Sequence, residues 1–145
     1  MDSESHIFNR CLYFSSNALS KILGKMAEEE FRILGLAPTY AYLLMLINDK
    51  PGMQPSEISE KLVLSPSTVT RLVEKMERQG YLERKSQGRA TLVESTTKGR
   101  DMDDQIRNAW GRLQQRYREE LGDRYGDVLT EMTMKAVEQL ERIDT

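Results

Sequence analysis

The chain is poor in the residues on which most enzymes and metal proteins depend. Its 145 residues include one cysteine, Cys11, and one histidine, His6. A lone cysteine excludes an internal disulfide framework and a cysteine-rich zinc site. With His6 beside the polar start of the chain, no Cys-His or Ser-His pair is readily assembled. Nor does the sequence hold a glycine-rich phosphate loop, an HExxH motif or paired metal-ligand spacing. We therefore expect no enzyme, no cofactor and no metal. The acids Asp101, Asp103 and Asp104 could attract a cation, but acids in a first helical turn more simply complement its dipole. No run approaches the ~18 apolar residues of a membrane helix, and the opening MDSESH does not resemble a signal peptide. The expected location is the cytoplasm, with no membrane partner.

Aromatic residues are also few, at 7%, whereas 30% of residues are charged. That balance suits a helical protein of about one domain with a real core. The net charge of −2 argues against a general nucleic-acid coat. Its distribution says more. Residues 1 to 64 carry six basic and eight acidic groups, 65 to 100 carry eight and four, and 101 to 145 carry seven and eleven. A basic insert in an acidic body favours oriented docking on a phosphate backbone.

Within that insert, SPSTVTRLVEKMERQG (65 to 80) reads as one amphipathic helix. Val69, Leu72, Val73 and Met76 share one side, while Ser67, Thr68, Thr70, Arg71, Lys75 and Arg78 face outward. Ser65 can cap it, Pro66 suits its first turn, and Gly80 can end it. By itself this is also how a solvated helix face looks. Before it, QPSEISEKL (54 to 62) forms a short helix with Pro55 in the first turn and Glu57 placed to satisfy its open end. Only Val63 and Leu64 separate the two, as in a helix-turn-helix. After Gly80, YLERK and ATLVES have strand character around a turn at Gly88. A basic-tipped hairpin after such a helix describes a winged helix.

Elsewhere, residues 6 to about 34 read as a long helix carrying Phe8, Leu12, Leu19, Ile22, Leu23, Met26 and Ile33. PTYAYLLMLIND (38 to 49) is apolar on nearly every side and belongs in the middle of the structure. A helix from Thr96 or Thr97 to about Leu121 carries Met102, Ile106, Trp110, Leu113 and Tyr117. After a break at Gly122 to Gly126, a last helix aligns Val128, Leu129, Met132, Val137, Leu140 and Ile143. The compact head cannot cover these terminal stripes, so a two-fold homodimer is the simplest way to bury them. The expected fold is mainly α (α+β winged helix), with six helices and a two-stranded wing. It divides into 1 to 36 (dimerisation), 37 to 100 (winged helix-turn-helix) and 101 to 145 (dimerisation).

This order, with the phrases LGLAPTYAYLLMLI, SPSTVTRLVEKMERQGYLERK and TTKGR, resembles the MarR family of transcriptional regulators over nearly the whole chain. The resemblance implies a homodimer on a pseudo-palindromic double-stranded DNA operator, acting as a repressor. Carried over by position, it puts major-groove contacts on Ser65, Pro66, Ser67, Thr68, Thr70 and Arg71. Their chemistry agrees: arginine addresses guanine, hydroxyls address bases or phosphates, and methyls meet thymine. Where the family's wing tip has Asp-x-Arg, this chain has Gln87-Gly88-Arg89 in a shorter loop. Arg89 fits the reading role, Gln87 replaces the aspartate, Lys85 suits a phosphate, and Lys75 and Arg78 are weaker candidates.

The resemblance also implies a signal that releases DNA. One candidate is a small aromatic or phenolic effector lined by Tyr13, Phe14, Tyr40, Tyr42, Met45 and Trp110, although such a cluster also reads as plain core. The alternative is thiol-based sensing through Cys11, because CLYFSS resembles the peroxide-sensing OhrR branch. Tyr40 sits where one partner tyrosine would be, and Lys25 where counting puts another. Cys11 reads equally as a packing residue. A third possibility is a winged helix used for protein contacts.

Overall fold

The structure is a computed structural model and describes residues 6–143. Ile7–Arg10 form a 3-10 turn. The elements that follow are α1 (Leu12–Phe31), a second 3-10 turn (Arg32–Leu34), α2 (Pro38–Asp49), α3 (Pro55–Leu62) and α4 (Pro66–Arg78). Next come β1 (Leu82–Gln87), β2 (Ala90–Ser95), α5 (Thr97–Asp101), α6 (Asp103–Leu121) and α7 (Asp123–Glu141). The fold is mainly helical with one antiparallel hairpin, as expected. Three details of the helices differ from expectation among the described residues.

The expected first helix starts only at Leu12, because Cys11 is extended (φ −98°, ψ 119°) and closes the preceding turn through its N–H to the Phe8 carbonyl. The expected fifth helix is two, α5 and α6. Its backbone tightens where Met102 N–H reaches back three residues to Gly99 rather than four. The break before α7 is Gly122 alone, at φ +91°.

The chain forms two compact units that divide within α1 and within α6. The central unit comprises residues 24–110, and the terminal unit residues 1–23 and 111–145. The expected boundaries, at 36/37 and 100/101, lie further inside the sequence. Ala27 and Phe31 near the end of α1, and Ile106 and Ala109 near the start of α6, are buried members of the central unit.

In the central unit α2 is the core helix, with Ala41, Leu43, Leu44 and Ile47 fully buried. Around it lie Ile58 of α3, Val69, Leu72, Val73 and Met76 of α4, and Leu82 and Val93 at the root of the hairpin, all buried. Met53, between α2 and α3, pairs with Val93 as a one-residue third strand. Its carbonyl accepts from Val93 N–H at 2.8 Å. This bridge ties the start of the helix-turn-helix to the wing. In the terminal unit the stripes on Leu12, Ile22, Val128, Met132, Leu140 and Ile143 are exposed.

Candidate nucleic-acid interface

The exposed half of α4 is built by its caps. Ser65 Oγ accepts the N–H of Thr68 at 3.3 Å and also meets the Thr68 hydroxyl at 2.8 Å. Pro66 occupies the first turn, where a missing N–H costs nothing. At the far end Gly80, at φ +83°, closes a Schellman motif: its N–H bonds to the Glu77 carbonyl and Tyr81 N–H to that of Met76. With Val69, Leu72, Val73 and Met76 turned inward, Ser65, Pro66, Ser67, Thr70, Arg71, Lys75 and Arg78 are exposed and Thr68 is half-buried. The first turn of α4 therefore presents a cluster of hydroxyls, bonded to one another and to the helix backbone, without exposing core.

The turn into α4 carries a feature the spacing did not reveal. Val63 sits at φ +55°, the left-handed region that β-branched residues avoid. Its N–H bonds to the Ser59 carbonyl, and the Ser59 hydroxyl donates to that of Leu64, so neighbours hold the strained residue in place.

Further along α4, Arg71 reaches the Thr68 hydroxyl at 3.4 Å. Lys75 Nζ lies 4.8 Å from the centre of the Tyr40 ring. Tyr40, Thr68, Arg71, Glu74, Lys75 and Arg78 are among the residues lining a shallow groove of about 390 Å³. Tyr40 thus stands beside α4 and steers Lys75 by a cation–π contact.

The wing has six residues in each strand and a two-residue tip, because Gln87 pairs with Ala90. Gly88, at φ +62°, takes the first central position of that tip, as a type II′ turn requires. Arg89 follows it and is exposed. Gln87, also exposed, belongs to the paired strand rather than the tip.

Two other wing cations are already engaged. Arg84 makes a double hydrogen bond to Glu77 of α4, at 2.9 and 3.1 Å. That contact lowers the carboxyl pKa of Glu77 and raises the guanidinium's. Lys85 lies 2.8 Å from Glu94 and 3.5 Å from Glu83, and its pKa is raised, first by the hydrogen bond to Glu94. The basic character read from Lys85 is therefore offset by its own hairpin.

The TTKGR phrase gives the interface its base. The Thr96 hydroxyl caps α5 and donates to the Gly80 carbonyl, while Thr96 N–H bonds to the Tyr81 carbonyl at 3.0 Å. Lys98 Nζ donates to the Gln79 carbonyl at 2.8 Å and lies over the Tyr81 ring. Gly99 is buried so close to the Tyr81 carbonyl that a Cβ there would overlap its oxygen. These contacts clamp the end of α4 and the root of the wing together.

Of the residues considered for an effector, Tyr13 and Phe14 belong to the terminal unit and are exposed. Phe14 lies 5.5 Å from the Phe8 ring. In the central unit Tyr42 packs edge-on against Phe31 at 5.7 Å, Met45 is half-buried and Trp110 is 39% exposed. Of the six, only Tyr40 lines the α4 groove. Cys11 is exposed, just ahead of α1 rather than on a helical face. Asp103, one of the acidic trio, pairs with Arg107 at 2.7 Å and accepts from Asn48 at 3.1 Å. No cluster of three or more metal-ligating side chains occurs among the described residues, and no single helix there is long and apolar enough to cross a membrane.

Residues 34–90 match the model of the MarR family. A stretch of 57 residues, 37% of the chain, is 42% identical to riboflavin kinase of Thermococcus kodakarensis. The match covers only 27% of that curated relative's length. Solved structures resemble the chain more fully. The transcriptional repressor CouR bound to a 23-mer DNA duplex superposes with a TM-score of 0.84 at 18% identity, over 94% of this chain and 99% of that one. CouR from Rhodococcus jostii RHA1 bound to p-coumaroyl-CoA gives 0.75 at 20% identity, over 91% and 93%. At such identities the likeness establishes the fold.

Proposed function

We propose that this chain, which carries the MarR-family winged helix in residues 34–90, is a sequence-specific DNA-binding transcriptional regulator. It acts as a homodimer on a pseudo-palindromic operator, as a repressor. The observation that carries the reading is the outer face of α4. There Ser65, Ser67, Thr70 and Arg71 stand exposed at a capped N-terminus while the opposite face is buried. Helix α4 enters the major groove by that end, and Arg89 reaches for the adjacent minor groove. Two copies joined through the apolar terminal stripes space the two helices about one DNA turn apart, ~34 to 36 Å. Mobility shifts of the chain's own promoter fragment against random DNA, across a salt series, test this. Equal affinity for both at every salt concentration overturns it.

Release by a small aromatic or phenolic effector is the reading we favour for the signal. A similar fold is known bound to p-coumaroyl-CoA, and the candidate lining residues are Tyr13, Phe14, Tyr40, Tyr42, Met45 and Trp110. The exposure of Cys11 supports a second reading, thiol sensing. Peroxide that abolishes DNA binding in the wild type but not in Cys11→Ser supports the thiol. Release by salicylate-like anions in both supports the pocket. The kinase activity of the archaeal relative is not part of this proposal.

A further inference from the structure

Between the end of α2, the end of β2 and α5 lies a second, smaller cavity of about 130 Å³. Ile47, Asn48, Pro51, Glu94, Ser95 and Arg100 line it. Two of its polar atoms, Asn48 Oδ1 and Ser95 Oγ, are buried without a hydrogen-bond partner, and Ser95 as a whole is only 5% exposed. Leaving two such groups without a partner in the interior is destabilising. The Asn48 amide cannot cure this by rotating. Its Nδ2 donates to the Gly99 carbonyl at 3.3 Å and to Asp103 Oδ1 at 3.1 Å, and a flip would set oxygen against oxygen at both. Arg100 donates from Nη1 to the Ser95 carbonyl at 2.6 Å and from Nη2 to Thr97, and it reaches neither orphan atom.

We propose that this cavity is a structural hydration site, holding a small cluster of ordered waters that bridge Asn48 of α2 to Ser95 of β2. The charges around it select the occupant. The fixed Asn48 Oδ1 can only accept, which disfavours an anion. The Arg100 guanidinium on the same wall disfavours a cation. A neutral molecule that both donates and accepts satisfies all of them, and the space accommodates more than one water. The bridge ties the end of α2 to the root of the wing, and it is independent of whether the wing meets DNA.

A crystal structure of the full chain near atomic resolution, with a xenon-pressurised crystal beside it, tests the site. The expected result is water within about 2.7 to 3.2 Å of both Asn48 Oδ1 and Ser95 Oγ, with no xenon in the cavity. In Ser95→Ala crystals, the water on Asn48 should persist while the one facing position 95 is lost or displaced. Xenon in the cavity, an ion at metal-ligand or anion distances, or a rearranged Asn48 that pairs Oδ1 with protein would each overturn the proposal.

Discussion

The two compact units spend their apolar residues in opposite ways. In the central unit the large aliphatic side chains of α2, α3, α4 and the hairpin root are enclosed, and only Ile33, Val63 and Trp110 among its large hydrophobics are exposed. Among the described residues of the terminal unit Leu113 is the one buried large aliphatic side chain, and Ile7, Leu12, Ile22, Val128, Met132, Leu140 and Ile143 are exposed. Contiguous apolar faces of this kind are uncommon on monomeric proteins in water. The difference teaches that one unit buries its apolar face within its own chain, whereas the other leaves its face exposed. A second copy is the occupant we propose.

The sharpest way to break this comparison is to damage each unit separately. Leu44→Ala, at a fully buried position of α2, should cost about 2 to 5 kcal/mol in chemical denaturation. Gly99→Ala should lose a comparable amount, because its methyl has no room beside the Tyr81 carbonyl. A double change in α7, Met132→Glu with Leu140→Glu, should instead leave the central unit folded and convert a dimer to a monomer in sedimentation. If the monomer appears only together with unfolding, the two units are not separable as described.

Function should separate from stability on the closed unit's surface. Arg71→Ala should weaken discrimination at one base pair of each half-site by ~1 to 3 kcal/mol while shifting the melting temperature little. Competition binding with single-base operator variants reads the first effect and calorimetry the second. A smaller gain is expected at Val63→Asn, where a residue that tolerates positive φ replaces a β-branched one, adding about 1 kcal/mol of stability.

The smallest effect concerns pH. Arg84 holds the Glu77 carboxyl below its ordinary pKa in the folded chain, so the stabilisation is present above the unfolded value near 4.5. It fades as pH falls through the lower folded value. Glu77→Gln should flatten acid unfolding in that window by at most about 1 kcal/mol, given how exposed the pair is.

Much of the central unit was legible because its signals are local. Ser65, Pro66 and Gly80 mark α4 by capping chemistry, and the spacing of Val69, Leu72, Val73 and Met76 assigns its inner face. What escaped depends on partners distant in sequence or on backbone angles. Nothing near Met53 announces a bridge to Val93, and nothing near Lys85 shows that Glu94 neutralises it. Val63 gives no hint of a left-handed turn, since its residue type argues against one. Cys11 and the first turn were absorbed into a helix because apolar periodicity continues through Leu12 although the backbone does not. The clamp built by Thr96, Lys98 and Gly99 was quoted only as a phrase; its purpose is visible once the Gly80 and Tyr81 carbonyls are seen beside it.

The internal pairing of the wing has an arithmetic outcome. With Arg84 paired to Glu77 and Lys85 to Glu94, Arg89 is the hairpin cation that, in the proposed complex, meets DNA without first leaving a carboxylate. Each hairpin should therefore displace only about one condensed counterion, a contribution of roughly −0.9 to the logarithmic dependence of affinity on ionic strength. Any steeper dependence must be generated by helix α4 and its surroundings.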